Sequence, residues 1–152
     1  MSGRAKAAVL FFIIMLADQI VKFYVELAML PGESIPVAAG IFHITYVLNP
    51  GAAFGIFAHS QILFLGVAAA FLIVFLGFYA RLSRSGVLMH YGSVALAAGA
   101  LSNMIDRVRM GHVVDFFDLR VWPVFNIADI AIVLGTAAVL WALFVQNKEL
   151  QR

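Results

Sequence analysis

The chain has 152 residues, 64% of them hydrophobic and only 12% charged, and its mean hydropathy is +1.01; a water-soluble domain of this size could not hide so much apolar surface. Cysteine is absent, which excludes disulfides, a thiolate nucleophile and Cys-ligated zinc or iron–sulfur chemistry. The formal charge of +2 comes from scattered basic residues that form no stripe, so nucleic acid is excluded as a partner and the bilayer is the expected solvent.

Four stretches are long enough to cross a bilayer, at about 7–26, 62–80, 87–105 and 124–145, each near the ~20 residues that a spanning helix needs. The first has the basic start and apolar run of a signal peptide, but no small-x-small cleavage site follows, so it reads as an uncleaved anchor. Its eleven Leu, Ile, Val and Phe residues favour insertion by roughly −3 to −7 kcal/mol, while Asp18 alone costs up to about 3. With Lys22 and Glu26 also present, this helix needs a protein or water-lined face. Asp18 and Lys22 are four apart, which predicts an intrahelical ion pair.

Between the first two spans, an outer cap at about 30–61 contains β-branched and aromatic segments around Ser34–Val37 and Ile41–Val47. These predict short strands, ended by a turn at Asn49-Pro50-Gly51. The second span has no formal charge, and the third is interrupted only by His90, Ser93, Ser102 and Asn103. The fourth carries Gly135 and Ala137 for close helix approach. Tyr46 and Trp122 suit an aromatic belt.

Arg4, Lys6, Arg81, Arg84, Lys148 and Arg152 lie at one set of helix ends, which the positive-inside rule places, with both termini, in the cytoplasm. The reading is one domain over 1–152: an all-α membrane protein of four transmembrane helices with a small extracytoplasmic sheet between helices 1 and 2.

Four of the five aspartates, Asp106, Asp115, Asp118 and Asp129, lie between the outer end of span three and the outer start of span four. The short connection makes these spans an antiparallel hairpin, so two carboxylates can face each other across a cleft. Such a pair cannot ionise fully at low cost; one member keeps a proton while the other draws a proton from water, as in aspartic proteases. Asp129 near a helix N-terminus favours the anion and Asp115 among Val and Phe favours the neutral acid. By spacing alone, pairing Asp115 with Asp129 is favoured only about two to one over pairing Asp106 with Asp129. Asp118 is expected to be a solvated loop charge. Asp106, with Asn103 and Arg107 on one helical face, is expected to form an ion-paired strut beside Arg107.

His43, His59, His90 and His112 lack the spacing and third ligand of a zinc protease, and Ser102 lacks a nucleophile elbow. No metal site is expected.

Five blocks in order resemble the lipoprotein signal peptidase (type II signal peptidase) family: Asp18-Gln19-Ile20-Val21-Lys22, Asn49-Pro50-Gly51-Ala52-Ala53-Phe54, Gly99 through Arg107, Val113-Val114-Asp115-Phe116, and Phe125-Asn126-Ile127-Ala128-Asp129. The resemblance implies an intramembrane aspartyl endopeptidase of the bacterial cytoplasmic membrane, its active site near the outer face. It would cleave diacylglyceryl-modified prolipoproteins just before the lipid-modified cysteine. It implies Asp115 and Asp129 as the catalytic pair. Asn49, Asn103, Arg107 and Asn126 are implied to hold substrate and order the site, and Asp18 and Lys22 to support it, beside the Asp106 strut. No metal or organic cofactor is implied, membrane lipids are the surroundings, and a monomer is expected. The sequence departs from the family pattern at Ser102, where glycine is usual, and in the short connection between Asp115 and Asp129. The competing reading is a small ion or proton-coupled transporter, since intramembrane Asp, Lys and Arg commonly mark ion paths; it requires polar residues in the inner halves of several spans.

Overall fold

The computed structural model describes residues 1–51 and 61–150; Ala52, Ala53, Phe54, His59 and Arg152 lie outside them. The elements are α1 (Gly3–Ala28), β1 (Ser34–Ala38), β2 (Phe42–Asn49), α2 (Gln61–Leu82), α3 (Val87–Met110), β3 (Val113–Asp118) and α4 (Ile127–Leu150). α1 is started by Ser2, whose hydroxyl accepts the Ala5 N–H at 3.2 Å. α3 stops at Gly111, whose φ of 82° suits glycine and whose N–H closes on Arg107 O.

α1, α2 and α4 are each long and apolar enough to cross a membrane. Their outward faces are bare hydrocarbon: Phe12 and Ile13 on α1, Ile73 and Leu76 on α2, and Val133 and Leu140 on α4 are all exposed. α3 differs because it is the centre of the bundle. It packs against all three other helices, and Gly92, Ser93, Ala97, Ala98, Gly99 and Ser102 give it the small buried residues for that role. A Cβ on Gly92 would come within 2.9 Å of Ala138 Cβ, and one on Gly135 within 2.6 Å of Gly92 O. The close approach at Gly135 is therefore as expected, but its small neighbour is Ala138; Ala137 faces outward.

The cap is an antiparallel sheet of order β1-β2-β3. The two strands expected between α1 and α2 are present, and a third, β3, arrives from the connection between α3 and α4. Val113–Asp118 had been expected as connection only, although its Val and Phe content fits a strand. After β3 the chain turns back: Phe117 N–H donates to Phe125 O at 2.7 Å and Phe125 N–H to Phe117 O at 3.1 Å. That return occupies 122–125, so α4 begins at Ile127, three residues later than anticipated. The sheet rests on the C-terminal end of α1 through Val25, Met29, Tyr46, Val114 and Phe116, and burying each Val, Met or Phe side chain is worth roughly 1.5–3 kcal/mol. Tyr46 is thus a core residue and not a belt residue, because β2 turns it inward onto α1.

Candidate active site

β3 and the start of α4 bring Asp115 and Asp129 to one cavity of about 550 Å³, which Asn49, Asn103 and Arg107 also line. Its remaining wall is apolar, with Phe64, Val67 and Phe71 of α2 on one side and Ile132 and Val133 of α4 on another. Asp115 sits opposite Val47, beyond the irregularity in the β2–β3 ladder. Its Oδ2 accepts from Asn49 Nδ2 at 2.8 Å and its Oδ1 from Asn126 Nδ2 at 2.7 Å.

Asp129 stands in the first turn of α4. Asn126 caps that helix reciprocally: its Oδ1 accepts the Asp129 N–H at 2.8 Å, and Asp129 Oδ2 accepts the Asn126 N–H at 3.2 Å. Asp129 Oδ1 also accepts from Asn103 Nδ2 at 2.8 Å. Asn126 therefore touches both aspartates, one by its side-chain amide and one by its backbone. Burial, and after it the neighbouring Asp129 carboxylate, push the Asp115 carboxyl up to about 7, against the pull of Asn49, Lys22 and Asn126.

Arg107 points along the cavity. It donates to Gly51 O at 3.1 Å and Asn103 O at 3.4 Å, and its guanidinium lies 4.9 Å from the centre of the Phe64 ring. Its backbone carbonyl accepts from Gln61 Nε2 at 2.8 Å, which fastens the start of α2 to α3.

Asp18, Lys22 and Asp106 form a separate buried cluster below the pair. The expected Asp18–Lys22 bridge is present at 2.7 Å. Asp106 is a strut as anticipated, but its partner is Lys22 at 2.6 Å, not the adjacent Arg107. Packing of α1 on α3 turns Lys22 towards Asp106, whereas Arg107 is turned into the cavity. Asp118 is not a solvated charge: it is buried and accepts from Thr45 Oγ1 at 2.8 Å and Arg120 N at 2.8 Å, besides pairing with the Arg120 guanidinium at 2.9 Å. Burial pushes its carboxyl up, yet these donors outweigh it and hold it below the ordinary value.

Gln19 was not foreseen as a site residue. Its amide donates to Asp106 Oδ1 at 2.8 Å and Ser102 Oγ at 3.0 Å. The signal lay in the sequence: Asp18, Gln19 and Lys22 make one polar stripe on an otherwise apolar helix. The described histidines play other parts. His43 meets Ser34 on the sheet, His90 meets Tyr79 at the other end of α3, and His112 lies in the turn after it. No group of three or more metal-ligating side chains gathers among the described residues.

Asp115, buried, and Asp129, half-buried, thus share one cavity walled by helices long and apolar enough to cross a membrane. The family model described as Signal peptidase (SPase) II matches residues 10–145. A lipoprotein signal peptidase of Moorella thermoacetica is 43% identical over 137 residues, covering 90% of this chain and 91% of that protein. One from Pelotomaculum thermopropionicum is 45% identical over 131 residues, 86% of each. A solved bacterial membrane enzyme, determined by the in meso method at 2.3 Å, superposes with a TM-score of 0.89 at 30% identity, over 95% of this chain and 91% of that one. The chain belongs to the signal peptidase II family.

Proposed function

We propose that the chain is an intramembrane aspartic endopeptidase that removes the signal peptide of diacylglyceryl-modified prolipoproteins just before the lipid-bearing cysteine. The observation that carries this reading is the pair of carboxyls, Asp115 and Asp129, in one cavity walled by α2 and α4. In the reading, α3 crosses the bilayer with the other three helices; its 24 residues rise about 36 Å, enough for the hydrocarbon core. Both termini are cytoplasmic, by the basic helix ends, and the pair faces the outer side of a bacterial cytoplasmic membrane. A substrate anchored there by acyl chains would enter sideways between α2 and α4.

One carboxylate of the pair takes a proton from water as its oxygen attacks the scissile carbonyl carbon, and the other gives its proton to the carbonyl oxygen. Collapse of the tetrahedral diol breaks the C–N bond: the acid protonated in the first step gives its proton to the leaving amine nitrogen, and the other carboxylate takes a diol hydroxyl proton, which restores the pair. The two protons belong to the pair as a unit. Asn49, Asn103 and Asn126 direct their amide hydrogens at the aspartates, so their part is to orient the acids. The Arg107 guanidinium is the cationic group left to offset charge developing on the substrate. Transport has no comparable support: α2 has no charged residue from Ile62 to Ala80, and the charges below the site pair with one another.

Purified protein in lipid, given a diacylglyceryl-modified prolipoprotein, should lose about 10³-fold or more of its turnover in Asp115→Asn and in Asp129→Asn while keeping its fold. Full cleavage by either variant defeats the pair, and equal cleavage of unlipidated precursor defeats the substrate class.

A further inference from the structure

The Asp18–Lys22–Asp106 cluster takes no part in that chemistry, and stability alone is a poor reason for it. Two buried carboxylates around one ammonium carry an excess negative charge, and well-packed apolar residues usually do as well or better in such a place. What distinguishes the cluster is where its remaining oxygens point.

All three ammonium protons of Lys22 have acceptors: Asp18 Oδ2 at 2.7 Å, Asp106 Oδ2 at 2.6 Å and Asn103 Oδ1 at 2.9 Å. Asp18 Oδ1 then accepts the backbone N–H of Ala128 at 2.9 Å, and Asp106 Oδ2 accepts that of Val114 at 3.3 Å. Ala128 immediately precedes Asp129, and Val114 immediately precedes Asp115. The third branch, Asn103, donates to Asp129 itself. Gln19 ties the two arms, donating to Asp106 Oδ1 and to Ser102 Oγ, whose hydroxyl donates to Asp18 Oδ2 at 2.8 Å. Ser102 thus completes the Asp18 arm.

We propose that Asp18, Gln19, Lys22, Ser102 and Asp106 form a positioning device that fixes the separation of the Asp115 and Asp129 carboxyls by gripping the peptide N–H preceding each. The inference rests on the aspartic reading above. Asp18, Asp106 and Ser102 are fully buried and Lys22 very nearly so, so the grip is not shared with bulk water. A reacting pair misplaced by about 1 Å can lose 10²-fold in rate. The separation also governs how strongly one carboxylate repels the other, and with it the gap between the two apparent ionisations. The charged groups facing the pair are Asp18 and Lys22 from α1 and Asp106 and Arg107 from α3. Replacing Gln19 alters none of these charges.

The test uses the full chain in lipid. Gln19→Leu should lower kcat about 10-fold and Lys22→Met about 10²-fold, both with KM within about twofold. The two ionisations in the Gln19→Leu pH–rate profile should move towards each other. Ser102→Ala should lower kcat less than Gln19→Leu and move the profile in the same sense. If Lys22→Met does not fold, Gln19→Leu decides. A folded Gln19→Leu protein with the kcat and profile of the unsubstituted chain overturns the proposal, as does a kcat loss with an unmoved profile, which marks mere loosening. Asp115→Asn and Asp129→Asn run alongside. Their retained cleavage defeats the aspartic reading itself, whereas their inactivity beside wild-type behaviour in Gln19→Leu defeats only the positioning device.

Discussion

Two pairs of aspartates lie close together in this molecule, and their surroundings make them chemically different. Asp18 and Asp106 share Lys22, and each also receives a backbone N–H and a neutral side-chain donor. Asp115 and Asp129 have amide donors from Asn49, Asn103 and Asn126, plus the Asn126 backbone, but no cation in contact among the described residues. Amide hydrogen bonds orient a carboxylate without cancelling its charge. Burial, and after it the repulsion of the unneutralised Asp129, therefore push Asp115 up to about 7, into the range where a carboxyl can both hold and release a proton. Among the described contacts, the difference between the two pairs is the presence of one lysine.

The comparison breaks most sharply at that lysine. Lys22→Met leaves two buried carboxylates without their cation and should destabilise the protein by about 3–5 kcal/mol, read as a large fall in thermal midpoint in detergent. Replacing Asp18, Lys22 and Asp106 together by Leu, Met and Leu should recover much of that loss, since no charge is then left unpaired, without restoring turnover. A Lys22→Met protein as stable as the unsubstituted chain would show that the lower cluster does not depend on its cation.

A second break lies where the two pairs meet. Gly99 of α3 faces the start of α4, and a Cβ there would press on Ala128 O and come within 2.9 Å of Ile132 Cγ1. Gly99→Ala should cost about 1–3 kcal/mol as overpacking. Because Ala128 is held by Asp18 and adjoins Asp129, turnover should fall beyond what the lost stability explains. Unchanged turnover in the folded fraction would uncouple this helix contact from the pair.

Much of this was legible in the sequence, because it depended on local composition. The four helices follow from long apolar runs, and the Asp18–Lys22 bridge follows from i, i+4 spacing alone. What escaped depended on contacts made across the fold. Val113–Asp118 has the composition of a strand, but its partner β2 lies some seventy residues earlier in the chain, and an isolated connection gives no sign of it. Asp118 looked exposed because nothing nearby suggested that Thr45 would come to cover it or that Arg120, at a φ of 64°, would fold back onto it. Asp106 was assigned to the adjacent Arg107, whereas helix packing awarded it to Lys22. Asp115 and Asp129 were recognisable as candidates from their clustering, but spacing left Asp106 as a rival. In the fold Asp106 is ion-paired, while Asp115 shares the cavity with Asp129.

A further prediction sharpens the comparison through pH. The Asp115 carboxyl, ordinarily near 3.8, is raised to about 7 in the fold, first by burial and then by Asp129. Between those values the folded protein holds a proton that the unfolded chain has released, so this group makes stability fall as pH rises from about 4 to about 7. It contributes no slope below or above that window. The steepest slope it can give is about 1.4 kcal/mol per pH unit. Thermal midpoints measured in detergent across that range should decline less steeply in Asp115→Asn, whose amide carries no proton to lose. Asp18→Asn and Asp106→Asn should instead lower the midpoint itself, because each takes a partner from a lysine that remains buried. Matching slopes in Asp115→Asn and the unsubstituted chain would mean that Asp115 ionises as freely in the fold as in water, and the contrast between the two aspartate pairs would then have to come from geometry alone.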